Sequence, residues 1–458
     1  MNTLQLAARN LVRNRRRTLT TLLAMIVGVV AVLIFGGYDR NIRLGLETDF
    51  VRGSGHLQIQ HRDYFLFGSG NPAAYGIRDY TRLMQTLQAD PQLAPLLQVV
   101  TPVLDLGGIA GNFAAGVSRT VYGRGVDVAG QNRLKQWNDY RMVGLPQRSV
   151  ALTGTAPNAA VVGTGVARVL QLCGPLQVKD CPQPLPVPQQ GKAMPADLAA
   201  LPVAAPAANH GHVQIELLAA RASGAPNVAS LQVVKAEQQG VKALDDISVQ
   251  LHLMQAQQLV YGQGAPQVSA IVLQLRHSSD MPAARARLAQ LLQGGSQPLV
   301  VQDFATLNPQ YGQITGMFAA ILGFVAVLIG AIVLFTVGNT MSMAVVERTV
   351  EIGTLRALGL RQAGIRRLFV SEGLLLGVSG ALLGSLLALG LAWLINHSGL
   401  TWLPPGNSER IPLLVRVAGE YGMLLATAVG LIVLSVLSAW WPARRAARLD
   451  IVEALRHA

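Results

Sequence analysis

The sequence is poor in charged and aromatic residues. Of its 458 residues only 13% are charged and 5% aromatic, whereas 51% are hydrophobic. A soluble domain carries about 25% charged residues, so the composition indicates a membrane protein. The formal net charge is +13, which could suggest a nucleic-acid partner. However, residues 1–18 alone hold five Arg and no acidic residue, so much of the excess lies beside apolar runs, where membrane topology and anionic headgroups account for it.

Several catalytic and nucleotide-binding motifs are absent. The sequence has no G-x-x-x-x-G-K-[ST] phosphate loop and no G-x-S-x-G nucleophile turn. Its histidines are scattered without a metal-ligand spacing. We therefore expect no enzyme activity, no catalytic residue, no metal and no cofactor in this chain. If ATP drives the protein, ATP and Mg²⁺ bind to a partner chain.

Four uncharged apolar runs are each long enough to cross a bilayer, at residues 19–37, 314–346, 373–395 and 421–441. None of them contains Asp, Glu, Lys, Arg or His. Transporters driven by ion gradients place ionisable groups at membrane depth, so we do not expect one here. The first run follows an Arg cluster but has no A-x-A cleavage site. We predict a retained first span, with a signal peptide or a twin-arginine export signal as the alternatives.

Arginine-rich segments at residues 1–18, 347–372 and 442–458 flank these runs. The positive-inside rule places them, with both termini, in the cytoplasm, and places residues 38–313 and 396–420 outside. We interpret residues 1–18 as a short helix on the inner membrane surface, with a flexible basic tail as the alternative. The predicted fold class is an α+β membrane protein in which a large extracytoplasmic domain is inserted between the first and second of four spans.

Residues 38–313 carry the alternating patterns of a water-soluble α+β domain with room for two subdomains. The opening DRNIRLGLETDFVRG predicts a helical stalk that continues the first span, and MPAARARLAQLLQ predicts a helix. Between Cys181 and His210 the sequence is rich in Pro and Ala, which predicts a surface loop or linker. The predicted strands are GHLQIQ, RTVYGRGVDV, HVQIELLAAR, SLQVVKA and SAIVLQLRH.

The chain has two cysteines, Cys173 and Cys181. The topology places them in an oxidising compartment if the host has a periplasm, and the Gly-Pro turn between them favours a disulfide. Two free thiols are the alternative. A metal site would need further ligands, and the spacing of His210 and His212 matches no zinc pattern.

The stretch VVERTVEIGTLRALGLRQAGIRRLFVSEG, residues 345–373, concentrates charge between the second and third spans. Its apolar residues recur at helical spacing, which predicts two short amphipathic helices broken near Gly359. Such a loop can lie flat on the membrane or bind a soluble partner. The charged residues are Glu347, Arg348, Glu351, Arg356, Arg361, Arg366, Arg367 and Glu372.

Four glycines lie on one face of the third predicted span: Gly373, Gly377, Gly380 and Gly384. Small residues in this register let another helix approach closely. We predict a helix-packing face, either within one subunit or at a subunit interface.

Three strings together resemble the FtsX-like permeases of the MacB and LolC/LolE type, which are the membrane subunits of mechanotransmitting ABC systems. These strings are LQLAARNLVRNRRRTLTTLLAMIVGVVAVLIF, VVERTVEIGTLRALGLRQAGIRRLFVSEGLLLGVSGALLG and WWPARRAARLDIVEALR. The order of one span, a large outer domain and three further spans is similar too. The Pro/Ala-rich segment and the cysteine pair depart from the family pattern.

The resemblance implies that the cytoplasmic loop docks on a separate ABC ATPase, because no ATPase is fused at either end. It also implies a second permease, identical or paralogous, and inner-membrane localisation. The residues that match the family's ending, which lies near the ATPase, are Ala443, Arg444, Arg445, Ala446 and Leu455. The residues that it places in the ATPase-coupling segment are Glu347, Arg348, Glu351, Gly353, Thr354, Arg356, Ala357, Leu358 and Gly359.

The expected function is therefore that of a permease subunit whose outer domain moves when the partner hydrolyses ATP, extracting or expelling lipoprotein, lipid or another periplasmic cargo. The alternative is a transmembrane signal transducer that controls a periplasmic cell-wall hydrolase, although relatives of that kind resemble a version with a smaller outer domain. An enzyme embedded in the membrane is a third interpretation. Membrane lipids and a periplasmic or outer-membrane protein are the remaining expected partners.

Overall fold

The computed structural model describes residues 3–68, 70–143, 149–178, 181, 213–403 and 410–449. The predicted Pro/Ala-rich loop, His210, His212 and Leu455 lie outside these ranges. The chain forms two compact units. The helical unit comprises Met1–Gly45, Gln310–Trp402 and Pro412–Ala458, and the α/β unit comprises Leu46–Pro309 and Leu403–Ile411.

The α-helices are numbered in chain order across both units. Short 3₁₀ turns occur at Pro72–Tyr75, Phe113–Ala115 and Ser278–Asp280. The helices are α1 Thr3–Arg13, α2 Arg15–Ser54, α3 Tyr64–Phe67, α4 Tyr80–Ala89, α5 Val128–Leu134, α6 Thr164–Val169, α7 Lys242–Asp245, α8 Leu253–Tyr261, α9 Met281–Leu292, α10 Phe304–Leu307, α11 Pro309–Glu347, α12 Thr349–Ala357, α13 Gln362–His397 and α14 Tyr421–Ala447.

Four of these helices, α2, α11, α13 and α14, are long and apolar enough to cross a membrane. All four extend past the uncharged runs, because a helix does not have to end where the apolar sequence ends. Helix α2 runs on to Ser54 through the predicted stalk. Helix α13 begins at Gln362 and is continuous with the third apolar run. The prediction of a second short helix after Gly359 is therefore wrong, since that segment forms the first turns of α13.

The helical unit has a common apolar core. Helix α2 contributes Met25, Val29 and Leu33, and α11 contributes Val333 and Val337, all nearly inaccessible to solvent. Small residues of α13 and α14 complete this core, among them Ala381, Ala388, Ala392 and Ala439. Helix–helix contact in a bilayer depends on close packing rather than on the hydrophobic effect, which explains why alanine is so frequent at these positions.

The strands of the α/β unit form one mixed sheet with the order β3-β7-β4-β6-β5-β2-β8-β1-β9. An additional pairing between β2 and β3 closes the first six strands into a ring. The strands are β1 Leu57–His61, β2 Leu97–Asn112, β3 Val117–Val126, β4 Ala159–Gly163, β5 Val213–Ala220, β6 Pro226–Glu237, β7 Ser248–His252, β8 Ala270–Leu275 and β9 Leu299–Asp303, and a two-stranded pair is formed by β10 Thr401–Trp402 and β11 Ile411–Pro412.

Strand β2 belongs to two layers, because its first half pairs with β8 and its second half with β3 and β5. One apolar core fills the ring and includes Leu104, Leu217 and Leu251. A second core lies between the remaining strands and helices α4 and α9, and includes Leu273 and Leu288. The α/β unit thus has two lobes that share β2.

Candidate functional site

Helix α12 is held against the base of the helical unit by one buried face. Ile352 is 3% exposed and packs in a cluster with Val345 of α11, Ile365 and Phe369 of α13, and Ala443 of α14. The predicted coupling residue Gly353 is buried next to it. Three of the four long helices therefore meet the short helix at its apolar face, whereas Val350, Thr354 and Leu355 on its other side are exposed.

A sharp turn follows α12. The Leu360 N–H donates to Leu355 O and the Gly359 N–H donates to Arg356 O, which is the Schellman pattern of a helix C-terminus. Gly359 has φ +95°, a conformation that residues with a Cβ rarely adopt. The turn leaves Leu358 79% exposed, the highest exposure of any large apolar side chain in this segment.

Around this turn, apolar and basic side chains share one exposed surface, which we call the tip. Leu355 and Leu360 are exposed beside Leu358, and Thr354, Ala357, Arg361, Arg366 and Arg367 are exposed as well. Arg356 is half-buried and donates to Leu449 O, so it ties α12 to the end of α14. Exposed leucines among arginines are typical of a protein-docking surface.

The remaining predicted coupling residues, Glu347, Arg348 and Glu351, form ion pairs with the N-terminal segment or with α13. Glu351 pairs with Arg13 at 2.6 Å between Nη2 and Oε1, and Glu347 pairs with Arg17. Arg348 donates to Glu372 Oε1 over 2.9 Å. From the sequence, the N-terminal arginines were expected to contact lipid headgroups, whereas Arg13 and Arg17 contact glutamates of the same chain.

Asn10 and Glu372 were not predicted as site residues. The Asn10 side-chain amide donates to Glu372 Oε1 over 2.7 Å, and Arg348 Nη2 donates to Asn10 O over 3.3 Å. Asn10, Arg348 and Glu372, here called the triad, therefore join α1, the start of α12 and the base of α13. The one available signal was Glu372 itself, a lone acid in the apolar string LFVSEGLLLG.

The four predicted packing glycines contact helices of the same chain. A Cβ on Gly373 would lie 2.6 Å from Ala439 Cβ, and one on Gly377 would lie 3.1 Å from Ile432 Cα, both in α14. A Cβ on Gly384 would lie 2.7 Å from Val29 Cβ in α2, and Gly380 faces the same helix at Met25. One face of α13 thus packs on two other long helices.

In the α/β unit, Cys173 and Cys181 form a disulfide with a Cα–Cα distance of 6.2 Å. Within the described residues no group of His, Cys, Asp and Glu is arranged to hold a metal ion. A buried polar group joins α3, β2 and β3, where Asp105 accepts from Tyr64 Oη at 2.9 Å and from Arg124 Nε at 3.1 Å. Burial and the Asp105 charge raise the Tyr64 pKa. The side chains of Asp105, Tyr64 and Arg124 thus bond to one another within the α/β unit.

Comparison with known families connects the tip to a protein class. Residues 317–451 match the family model described as FtsX-like permease C-terminal. This part of the chain is similar to the C-terminal domain of FtsX-like permeases. It contains α12, the tip, Arg348 and Glu372, and most of the four-helix core. The resemblance noted from the sequence is therefore confirmed for the segment that carries the predicted coupling residues.

Curated proteins that are similar to part of this chain include the following ABC proteins. The ABC transporter permease YtrF of Bacillus subtilis is 32% identical over 149 residues, which cover 30% of this chain and 31% of YtrF. MacB of Acinetobacter baylyi, a macrolide export ATP-binding/permease protein, is 30% identical over 194 residues, covering 42% of this chain and 27% of MacB. LolC of Neisseria meningitidis, a lipoprotein-releasing system transmembrane protein, is 26% identical over 242 residues, which cover 51% of this chain and 56% of LolC.

The alignments thus span between about a quarter and just over half of the length of these curated relatives. Among solved structures, the extracellular domain of the noncanonic ABC-type transporter YknZ from Gram-positive bacteria aligns with 54% of this chain and 99% of its own. That alignment has a TM-score of 0.28 and 12% identity, too low to support an argument about the fold.

Proposed function

We propose that this chain is the permease subunit of an ABC transporter and that a separate ATPase binds at the tip. The FtsX-like match across the tip carries this proposal. In it, ATP and Mg²⁺ belong to the ATPase, and the chain sits in the inner membrane with both termini in the cytoplasm. The α/β unit lies on the opposite side, and a second permease, identical or paralogous, completes the complex.

The long helices suit the transfer of movement rather than a path for a solute. Helices α2 and α11 have 40 and 39 residues. At 1.5 Å per residue each is about 60 Å long, roughly twice the hydrocarbon thickness. The uncharged runs offer no ionisable group at membrane depth for a polar substrate. We therefore propose that the helices act as levers and that the α/β unit acts on lipoprotein, lipid or another periplasmic cargo.

The docking role of the tip is tested by placing a charge at its centre. Leu358→Asp should abolish copurification of an ABC ATPase with the full chain in mild detergent, because Leu358 is 79% exposed and would be buried only by a partner. Met254→Asp is the matched control, since Met254 is 73% exposed on helix α8 of the α/β unit. Retention of the ATPase by Leu358→Asp, or equal loss from both variants, would contradict docking at the tip.

The cargo is tested by crosslinking through the α/β unit in intact cells. Capture of acylated proteins or lipid supports the extraction of cargo. Capture of a cell-wall hydrolase supports the alternative, a transmembrane signal transducer. ATPase-independent turnover by the purified chain would contradict both and would point to an enzyme.

A further inference from the structure

We infer that the triad Asn10, Arg348 and Glu372 is a positioning lock that couples the tip to the first long helix without a covalent connection. The inference rests on the proposed function, because it names the residues through which a push at the tip would reach α2. Along the chain, the tip is joined directly only to α11 and α13. The triad, together with the exposed Arg13–Glu351 pair, adds a third connection through α1, which leads into α2.

The geometry of the triad joins three segments at one carboxylate. Glu372 Oε1 accepts from Arg348 Nη1 at 2.9 Å and from Asn10 Nδ2 at 2.7 Å. Arg348 Nη2 also donates to the Asn10 carbonyl at 3.3 Å. Arg348 occupies the single position between α11 and α12, with φ −108° and ψ 17°. A rotation of α12 therefore has to move the guanidinium, the carboxylate and the end of α1 together.

The first helix passes this constraint directly to α2. The Asn14 N–H donates to Asn10 O and the Thr18 N–H donates to Asn14 O, so the backbone hydrogen bonding continues across the boundary at residue 14. Ala7 is fully buried, and Leu11 packs at the edge of the core of the helical unit. Helix α1 is thus an attached end of α2 rather than a loose tail.

Burial indicates why the triad has a role beyond stability. The side chains of Arg348 and Glu372 are only 7% and 2% exposed, and Arg348 Nε is buried without a hydrogen-bond partner. The desolvation of such a pair offsets most of its Coulomb attraction, and apolar replacements of similar size are often as stable. What the pair adds is a fixed orientation of the start of α12 relative to α13, because a guanidinium and a carboxylate bond only in defined orientations.

A neighbouring ion pair provides a matched comparison. Arg13 and Glu351 connect the same segments, but their side chains are 54% and 52% exposed. Exposed pairs of this kind contribute little to stability. If connection between the segments were enough by itself, losing Arg13 would matter as much as losing the triad. The lock predicts that only the buried triad matters.

The first test measures the position of the tip without any ATPase. Spin labels at Val12→Cys and Leu358→Cys, both exposed in the wild type, report the distance between α1 and the tip in the full chain. The native cysteines do not interfere because they form a disulfide. The distance distribution should broaden in Arg348→Met/Glu372→Met, which refills the volume with apolar atoms, and in Asn10→Leu, which leaves the ion pair in place. Arg13→Ala should leave it narrow.

The second test measures stimulation of the copurifying ATPase by unlabelled chains that retain Leu358. Both triad variants should lower stimulation about tenfold, a typical coupling strength, while ATPase copurification persists. Arg13→Ala should change it no more than about threefold. A purely structural role predicts that the double Met variant retains both the narrow distance and full stimulation, which would overturn the lock.

The outcomes also separate the lock from the proposed function. If the wild-type chain neither retains nor stimulates an ATPase, the proposed function fails, and the label distances still decide whether the triad fixes the tip. If stimulation is normal in the wild type and the distances do not change in the triad variants, the lock fails and the proposed function stands. A broadened distance with full stimulation overturns the coupling role of the lock.

Discussion

His56 is a fully buried histidine in the α/β unit whose surroundings favour the neutral ring. Its Nδ1 accepts from the Leu275 N–H at 3.0 Å, so the proton lies on Nε2, which donates to Ser278 Oγ at 3.0 Å. The ring packs edge-on against Trp137 with centroids 4.9 Å apart. Burial lowers the His56 pKa to about 4, and the nearby Asp139 charge opposes this shift only partly.

This shift predicts acid sensitivity in the α/β unit. In the unfolded chain His56 takes up a proton near pH 6.5, whereas in the fold it stays neutral until about pH 4. The unfolded state therefore binds more protons in this window, and stability is lost as the pH falls through it, by about 3 kcal/mol in total. The free energy of unfolding can be measured with urea on the full chain in detergent, at neutral pH and near pH 4. It should fall at the lower pH in the wild type, and it should fall less in His56→Gln.

His277 is the control for this experiment because its environment acts in the opposite direction. It is 63% exposed, and its hydrogen bond to Asp139 at 2.8 Å raises the His277 pKa. The small contribution of His277 to the stability of the fold is therefore present at low pH and lost as the pH rises. His277→Gln should leave the acid sensitivity in place. Equal pH dependence in the wild type and His56→Gln would show that His56 is not the cause.

At the scale of elements, the glycine face of α13 determines how closely the long helices approach. Gly373→Ala would place a methyl group 2.6 Å from Ala439 Cβ and 3.1 Å from Ser435 O. Overpacking of this kind costs about 1–3 kcal/mol, so the thermal unfolding temperature of the full chain in detergent should fall. Gly390→Ala on the same helix is the control, since nothing lies within 4 Å of that position. An equal effect of both substitutions would contradict close packing at Gly373.

Five strands of the described sheet, β1, β3, β5, β6 and β8, were predicted from their alternating patterns, whereas β2, β4, β7 and β9 were not. Strand β2 is the longest of those missed. Its sequence LQVVTPVLDLGGIAGN contains Pro102 and the pair Gly107-Gly108, which usually interrupt strands. In the structure, β2 changes partners along this stretch, and a Cβ on Gly108 would lie 2.6 Å from Leu218 O. Pro102, Gly107 and Gly108, which argue against a strand in the sequence, lie where β2 changes its pairing partners between the two lobes.

The turn at the tip could be predicted from the sequence, whereas the triad could not. The exposed turn follows from local signals, namely the charge density of the loop and the glycine at residue 359. The triad depends on hydrogen bonds between residues that are 338 and 362 positions apart in the sequence. No periodicity or motif reports such a distance, and only the packing of α1 against α13 brings Asn10 to Glu372.

For the whole molecule, the proposed function requires the tip and the outer domain to lie on opposite sides of the membrane. The positive-inside rule supports this arrangement, because the arginine-rich segments all belong to the end that carries the tip. Sequence order also agrees, since strands β1 to β9 come after α2 and before α11, two helices long enough to cross. A chain folded with both features on one side could not carry movement across the bilayer.

Two equally exposed positions make this arrangement measurable. Phe113, in the turn between β2 and β3, and Leu358, at the tip, are each 79% exposed, so a cysteine at either position should react equally well once a reagent reaches it. The native pair is a disulfide and adds no reactive thiol. In cells with a permeabilised outer membrane, an impermeant maleimide should label Phe113→Cys and not Leu358→Cys. After lysis under denaturing conditions, which remove the ATPase from the tip, it should label both. Labelling of both in intact cells, or of Leu358→Cys alone, would contradict the topology, because a lever can only do work on cargo if it reaches from the ATPase side to the other side.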